Sequence, residues 1–167
     1  AVDIPEVEVY SMNITFYSIV NMTTYDISTT YGEDESYVIT LRDNFNNPIS
    51  NVTVNVDLNI VKDYTTDENG QINISIKDLK PGTYNAKATF DNINYDRTIK
   101  ISTIFIDKQA VTLMPNTLVT TYNSNDVVRI SIYDNKNKPI KNITLSVDLN
   151  GTKKYTTDKQ GQIEISL

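Results

Sequence analysis

Apolar and polar residues alternate with a period of two through most of this chain. Val52, Val54, Val56 and Leu58 point one way while Thr53, Asn55 and Asp57 point the other, which predicts a strand with one buried face. Tyr37, Ile39 and Leu41 predict a second strand of the same kind, with Thr40 and Arg42 outward. Ile72, Ile74 and Ile76 predict a third, and Tyr84, Ala86, Ala88 and Phe90 a fourth. A fifth spans residues 95–106, with Ile104 and Ile106 on one face and Ile99, Ile101 and Phe105 on the other, placed to cover a domain junction. Residues 1–20 carry two patches of alternation, Val7 and Val9, then Met12, Ile14 and Phe16. One long strand or two short ones are expected there, with Pro5 keeping the start at an edge.

The pattern then returns. Residues 43–76 recur without a gap as residues 134–167, and 21 of the 34 aligned pairs are identical. Ile143, Leu145, Val147 and Leu149 repeat the inward face of the Val52–Leu58 run; Val128, Ile130 and Ile132 repeat Tyr37, Ile39 and Leu41, with Arg129 outward; Ile163, Ile165 and Leu167 repeat the third strand. A period of 91 residues is one small domain, not one coil of a solenoid. Two units are expected, residues 1–107 and residues 108–167, with residues 1–20 a leading segment that is either the first strand of unit 1 or one exchanged with another unit. No Gly-, Ser- or Pro-rich linker separates the units, which implies domains joined end to end with limited swing. In this register unit 2 has no counterpart of residues 77–107, so it lacks two strands and leaves an apolar face and a sheet edge uncovered.

Turns separate the strands. Asp43-Asn44-Phe45-Asn46-Asn47-Pro48 and its copy from Asp134 to Pro139 read as hairpin-type connections, because Asn and Asp tolerate left-handed angles and bond their own backbone. Their oxygens raise a calcium reading, which two facts oppose: the second copy has Lys136 and Lys138 in place of Phe45 and Asn47, and no bidentate Glu follows at a calcium-loop spacing. Asp67 with Gly70, and Asp158 with Gly161, mark a second repeated turn in which Glu68 becomes Lys159, so the turn holds shape and not chemistry. Tyr84, after Lys80-Pro81-Gly82-Thr83, stands where a tyrosine corner would, its hydroxyl bonding back to the loop.

Composition agrees with strands and removes most chemistry. The chain has 21 Ile, 14 Val and 21 Thr against 8 Leu and 4 Ala, a β-branched excess that suits pleated sheets. It has no Cys and no His, so thiol chemistry, the usual general base and the commonest transition-metal ligands are all missing. No catalytic residue, cofactor or metal is expected. The net charge of −6 argues against nucleic acid as a partner. Residues 1–61 carry nine carboxylates and one cation, whereas residues 108–167 carry eight cations and five carboxylates, an asymmetry suited to head-to-tail contact between copies. No apolar run reaches the length of a membrane span.

The elements D-x-x-x-x-P-I-x-N, T-T-D-x-x-G-Q-I and P-G-T-Y, here Asp43 with Pro48, Ile49 and Asn51, Thr65 to Ile72, and Pro81 to Tyr84, resemble the bacterial-type Ig-like repeats of adhesin-like surface proteins, especially those of methanogenic archaea. The resemblance covers roughly residues 20–167 and implies a β-sandwich of the Ig-like kind (transthyretin-like or CnaB-like), displayed outside the cell. The expectation is therefore a non-enzymatic, extracellular structural or adhesive protein, an Ig-like repeat stalk. The alternative is a self-assembling surface filament subunit whose unit 2 is completed by a donated strand, and behind it a carbohydrate-binding module, which needs an exposed aromatic row. Tyr31, Tyr64, Tyr84, Tyr122 and Tyr155 occupy repeated or corner positions and are expected in core and corner roles. Expected partners are neighbouring Ig-like domains, copies of the chain, other cells or surface glycans. Six N-x-S/T sequons, at Asn13, Asn21, Asn51, Asn73, Asn142 and Asn150, are candidate glycosylation sites. Asn51 and Asn142 lead because they are equivalent across the repeat.

Overall fold

Alternation makes strands throughout. In the structure, a computed structural model that describes residues 10–14 and 18–167, Tyr37, Ile39 and Leu41 are fully buried on one face of a single strand. That strand is β3 (Ser36–Asp43). It follows β1 (Val20–Thr23) and β2 (Ile27–Thr30), and precedes β4 (Thr53–Leu58), β5 (Ile60–Thr65), β6 (Gln71–Ser75), β7 (Gly82–Asn92) and β8 (Tyr95–Asp107). The chain continues with β9 (Val111–Pro115), β10 (Val127–Asp134), β11 (Thr144–Asp148), β12 (Thr152–Thr156) and β13 (Gln162–Ser166). The fold is all-β, as tandem Ig-like sandwich units. One compact unit is built from Glu33–Ile106 with the described residues up to Thr29, the other from Asp107–Leu167 with Thr30–Gly32.

Unit 1 faces a three-stranded sheet, ordered β1-β3-β6, with a five-stranded one, ordered β2-β8-β7-β4-β5. Inward side chains of both sheets form one core, among them Ile39 and Leu41 from the first and Val54, Val56, Ala88, Phe90 and Ile104 from the second. Each large aliphatic or aromatic side chain so buried contributes roughly 1.5–3 kcal/mol. Two alanines on β7, Ala86 and Ala88, are fully buried, and the buried Phe90 packs against Tyr95, with ring centroids 5.6 Å apart. The outward residues of β8, Ile99, Ile101 and Phe105, are exposed, as the two-faced pattern predicts.

The ladders that unit 2 shares with unit 1 repeat pair for pair. Val20 opposes Asp43 in β1–β3 and Val111 opposes Asp134 in β9–β10; Thr40 opposes Gln71 and Ser131 opposes Gln162; Val54 opposes Tyr64 and Leu145 opposes Tyr155. Its sheets are β13-β10-β9 and β11-β12. With a side-chain period of two, a slip of one residue would turn every inward group outward, so this identity of register sets the same positions inward in both units.

Three readings of the leading and connecting segments change. Residues 1–9 and 15–17, with Val7, Val9 and Phe16, lie outside the described residues. Tyr10–Ile14 are exposed and not in a strand, so the long leading strand is not seen there. The chain instead meets β8 at Ser18, which bridges Tyr95 in parallel, crosses to β3 as β1, and returns to β8 as β2. Ser102 donates its hydroxyl hydrogen to Thr24 Oγ1 at 2.7 Å, and the Thr103 N–H reaches the Asp26 carboxylate at 2.7 Å. Period-two reading misses this switch because the mixed sequence after β1 has no single inward face: of its two large apolar side chains, Tyr25 is exposed and Ile27 packs against the core. The Asp43 loop is also more than a hairpin. Its ends pair, but β3 and β4 belong to different sheets, and the same holds for the turn from β5 to β6.

Candidate functional site

Four tight turns, two per unit, share one local design. Asp43 Oδ1 accepts the N–H groups of Phe45 (2.9 Å) and Asn47 (2.8 Å), and Asp67 Oδ1 accepts those of Asn69 (2.9 Å) and Gln71 (2.8 Å). Asp134 does the same for Lys136 and Lys138, and Asp158 for Gln160 and Gln162. In each turn the fourth residue is left-handed: Asn46 (φ 67°), Gly70 (70°), Asn137 (61°) and Gly161 (72°). The type is a three-residue loop ending in a left-handed residue. The spacing Asp-x-x-Asn/Gly was the signal, and it makes the two differently spelled loops of each unit one structure.

The paired turns are tied together at the end of the first sheet. The Leu41 N–H donates to the Gly70 carbonyl (2.8 Å) and the Leu41 carbonyl accepts from the Ile49 N–H (3.1 Å); Ile132, Gly161 and Ile140 repeat both bonds at 2.9 Å. Beneath lies a buried threonine. Thr66 Oγ1 donates to the Ile49 carbonyl (2.9 Å) and accepts from the Val52 N–H (3.1 Å), and Thr157 Oγ1 accepts from the Ile143 N–H (3.1 Å). Residues identical across the repeat thus serve backbone geometry. The Asn47 side chain above all holds the Asp43 carboxyl below the usual aspartate range, against an opposing effect of burial and with further help from the Asn47 and Phe45 amides. Asp43 is engaged by its own loop, and among the described residues no three His, Cys, Asp or Glu side chains gather where they could hold a metal.

The Tyr84 hydroxyl donates to the Lys80 carbonyl at 2.8 Å, so the tyrosine corner is formed. Tyr64 and Tyr155 are half-buried at equivalent places, and the Lys62 ammonium lies 5.2 Å from the Tyr64 ring centroid. The core or corner role does not hold for two others. Tyr31 is exposed and Tyr122 is 95% exposed; residues 118–121, the counterparts of β2, form no strand in unit 2 that could seat Tyr122.

Equivalent apolar positions differ in cover between the two units. Val20, Met22, Leu58 and Ile76 are 8%, 4%, 8% and 2% exposed in unit 1, whereas their counterparts Val111, Leu113, Leu149 and Leu167 are 52%, 53%, 47% and 52% exposed. The inward face expected for Leu149 and Leu167 is present in register but not covered. In unit 1 the cover is the β7–β8 hairpin, whose β7 pairs with β4 through Asn55–Thr89 to Asp57–Lys87. The corresponding edge of β11 is free among the described residues.

All six sequon asparagines are exposed. Asn13 precedes the first bridge, Asn21 lies on β1 and Asn73 on β6. Asn51 and Asn142 occupy the same left-handed turn (φ 55° and 57°), each donating its N–H to the buried threonine's carbonyl at 3.0 Å. Asn150 sits at the tip between β11 and β12.

No protein-family model matches the chain, and no curated protein matches it at a significant level. Among solved structures it is similar to a 1.5-MDa bacterial ice-binding adhesin, at 15% identity and a TM-score of 0.36 over 92% of this chain and 55% of that one. It is also similar to the Yersinia pseudotuberculosis adhesin InvE, at 16% identity and a TM-score of 0.39 over 87% and 50%. A Ca2+-stabilized adhesin of an Antarctic bacterium that binds ice gives 15% identity and a TM-score of 0.30 over 92% and 41%. The chain spans 41–55% of the length of these solved chains.

Proposed function

We propose that this chain is a non-enzymatic, extracellular structural or adhesive protein, an Ig-like repeat segment in the stalk of a cell-surface adhesin of the archaeal kind its motifs resemble. One observation carries the reading. The residues repeated across the two units, Asp43/Asp134, Thr66/Thr157, Asp67/Asp158 and Gly70/Gly161, are all occupied in building turns and core. A chain that duplicates scaffold and no reactive cluster spaces other parts apart, and backbone ladders give such a spacer its resistance to stretching. Its partners in this reading are further Ig-like domains or copies of itself, and a surface on another cell. The sequon asparagines carry glycans on the displayed face, Asn51 and Asn142 first. The test is protease shaving of intact source cells followed by peptide mass spectrometry. Release of peptides from this chain, with glycan mass on the Asn51 or Asn142 peptides, supports the reading; recovery only after lysis rejects it.

The open face of unit 2 favours a second reading, a filament subunit whose unit 2 is completed by a strand from another copy. Light scattering of the purified chain over a range of concentrations separates the two. Ordered polymers that persist on dilution support the filament, and a monomer at every concentration supports the stalk.

A further inference from the structure

The dipeptide Asn-Gly occurs twice, at Asn69–Gly70 and Asn150–Gly151, and the fold holds the two differently. In the Asp67 turn the Asn69 N–H is bonded to the Asp67 carboxylate (2.9 Å) and the Gly70 N–H to the Asp67 carbonyl (3.0 Å). Gly70 is buried, and a Cβ there would lie 2.5 Å from the Leu41 carbonyl oxygen. At the β11–β12 tip both residues are exposed, nothing lies within 4 Å of the corresponding Cβ position of Gly151, and no acceptor among the described residues takes the Gly151 N–H.

We propose that Asn150 is a site of spontaneous deamidation and that the turn around Asn69 protects the second Asn-Gly from the same reaction. The Gly151 amide loses its proton to hydroxide and its nitrogen attacks Asn150 Cγ. The N–Cγ bond forms, the Cγ–Nδ2 bond breaks, and Nδ2 leaves as ammonia after taking a proton from water. Water then opens the cyclic imide: attack at the side-chain carbonyl gives aspartate, and attack at the backbone carbonyl gives isoaspartate. The sum is amide plus water giving acid plus ammonia, with no oxidant or cofactor. Glycine matters because no side chain hinders the attacking nitrogen.

At Asn69 the same attack requires breaking the Gly70–Asp67 bond and moving a backbone wedged against Leu41, so the reaction waits on local opening. The reaction at Asn150 also competes with glycosylation. Asn150 heads the sequon Asn150-Gly151-Thr152, and a glycan on Nδ2 or loss of Nδ2 exclude each other. The inference is independent of the proposed function.

The experiment uses the full chain made without glycosylation, held at mildly alkaline pH with and without urea and followed by peptide mapping that separates aspartate from isoaspartate. In the folded protein Asn150 converts at least about tenfold faster than Asn69, the factor that about 1.4 kcal/mol of opening free energy imposes. In urea the two rates converge, through acceleration at Asn69. Asp67→Ala raises the Asn69 rate toward that of Asn150, and Asn150→Gln abolishes the fast site. Equal rates in the folded chain, a faster Asn69, or no acceleration of Asn69 in urea would overturn the proposal. Should Asp67→Ala fail to fold, the ratio of urea to native rates at each site in the unaltered chain decides alone.

Discussion

Gly70→Ala tests the reasoning about the tied turns, and Gly32→Ala is its control. Both glycines have positive φ, 70° and 85°, so alanine at either meets the left-handed penalty of roughly 1–2 kcal/mol. Only at Gly70 does the new methyl collide with backbone, 2.5 Å from the Leu41 oxygen, 3.1 Å from the Ile49 nitrogen and 3.2 Å from Pro48 Cβ, while nothing lies within 4 Å at Gly32. Relief requires the turn to withdraw from the end of β3. That weakens the Leu41–Gly70 and Ile49–Leu41 bonds, each worth about 1 kcal/mol net. The expected cost is therefore about 3–4 kcal/mol for Gly70→Ala and about 1–2 kcal/mol for Gly32→Ala. Against a domain stability of roughly 5–15 kcal/mol, the first is a large fraction. Urea unfolding followed by circular dichroism reads both as shifts in midpoint at constant slope, and hydrogen exchange at the Leu41 amide localises the effect. If Gly70→Ala costs no more than Gly32→Ala, the close approach is not what requires glycine, and the account of the turn fails.

Three further outcomes follow from the same contacts. Thr66→Val keeps the shape but strips the hydroxyl that joins Ile49 to Val52, and a loss of about 1–3 kcal/mol in urea unfolding is expected, with Thr66→Ser largely restoring it; a valine variant as stable as the parent would refute the role. Leu58→Ala, at a buried site, is expected to cost roughly 2–4 kcal/mol, and Leu149→Ala, at the uncovered equivalent, about 1 kcal/mol or less; equal losses would mean that unit 2 is covered in solution. Asp43 has a folded-state pKa below its unfolded one, held there first by the Asn47 side chain, so its stabilisation is complete above the unfolded pKa and is lost as pH falls through the folded one. An NMR titration of the Asp43 carboxyl in the native chain and in Asn47→Ala checks this: the native midpoint lies below the ordinary aspartate range and moves up in the variant, and an unmoved midpoint would remove Asn47 as the cause.

By itself the sequence determined the strongly alternating strands and their faces. Period-two runs such as Val52 to Leu58 have only one way to bury four apolar groups on a sheet, so pattern and structure agree wherever the pattern is strong. The 91-residue repeat likewise determined that two units share one register, and the spacing before Tyr84 determined its corner. Tertiary structure decided what local pattern cannot encode. It split the leading chain between two sheets, because β1 pairs with β3 and β2 with β8 along edges supplied by other parts of the chain. It set the Asp43 and Asp67 turns against each other, since their contact through Leu41 joins residues that are far apart in the chain. It also set equivalent apolar positions to opposite fates, Leu58 buried and Leu149 exposed, because burial belongs to the neighbouring strand and not to the residue.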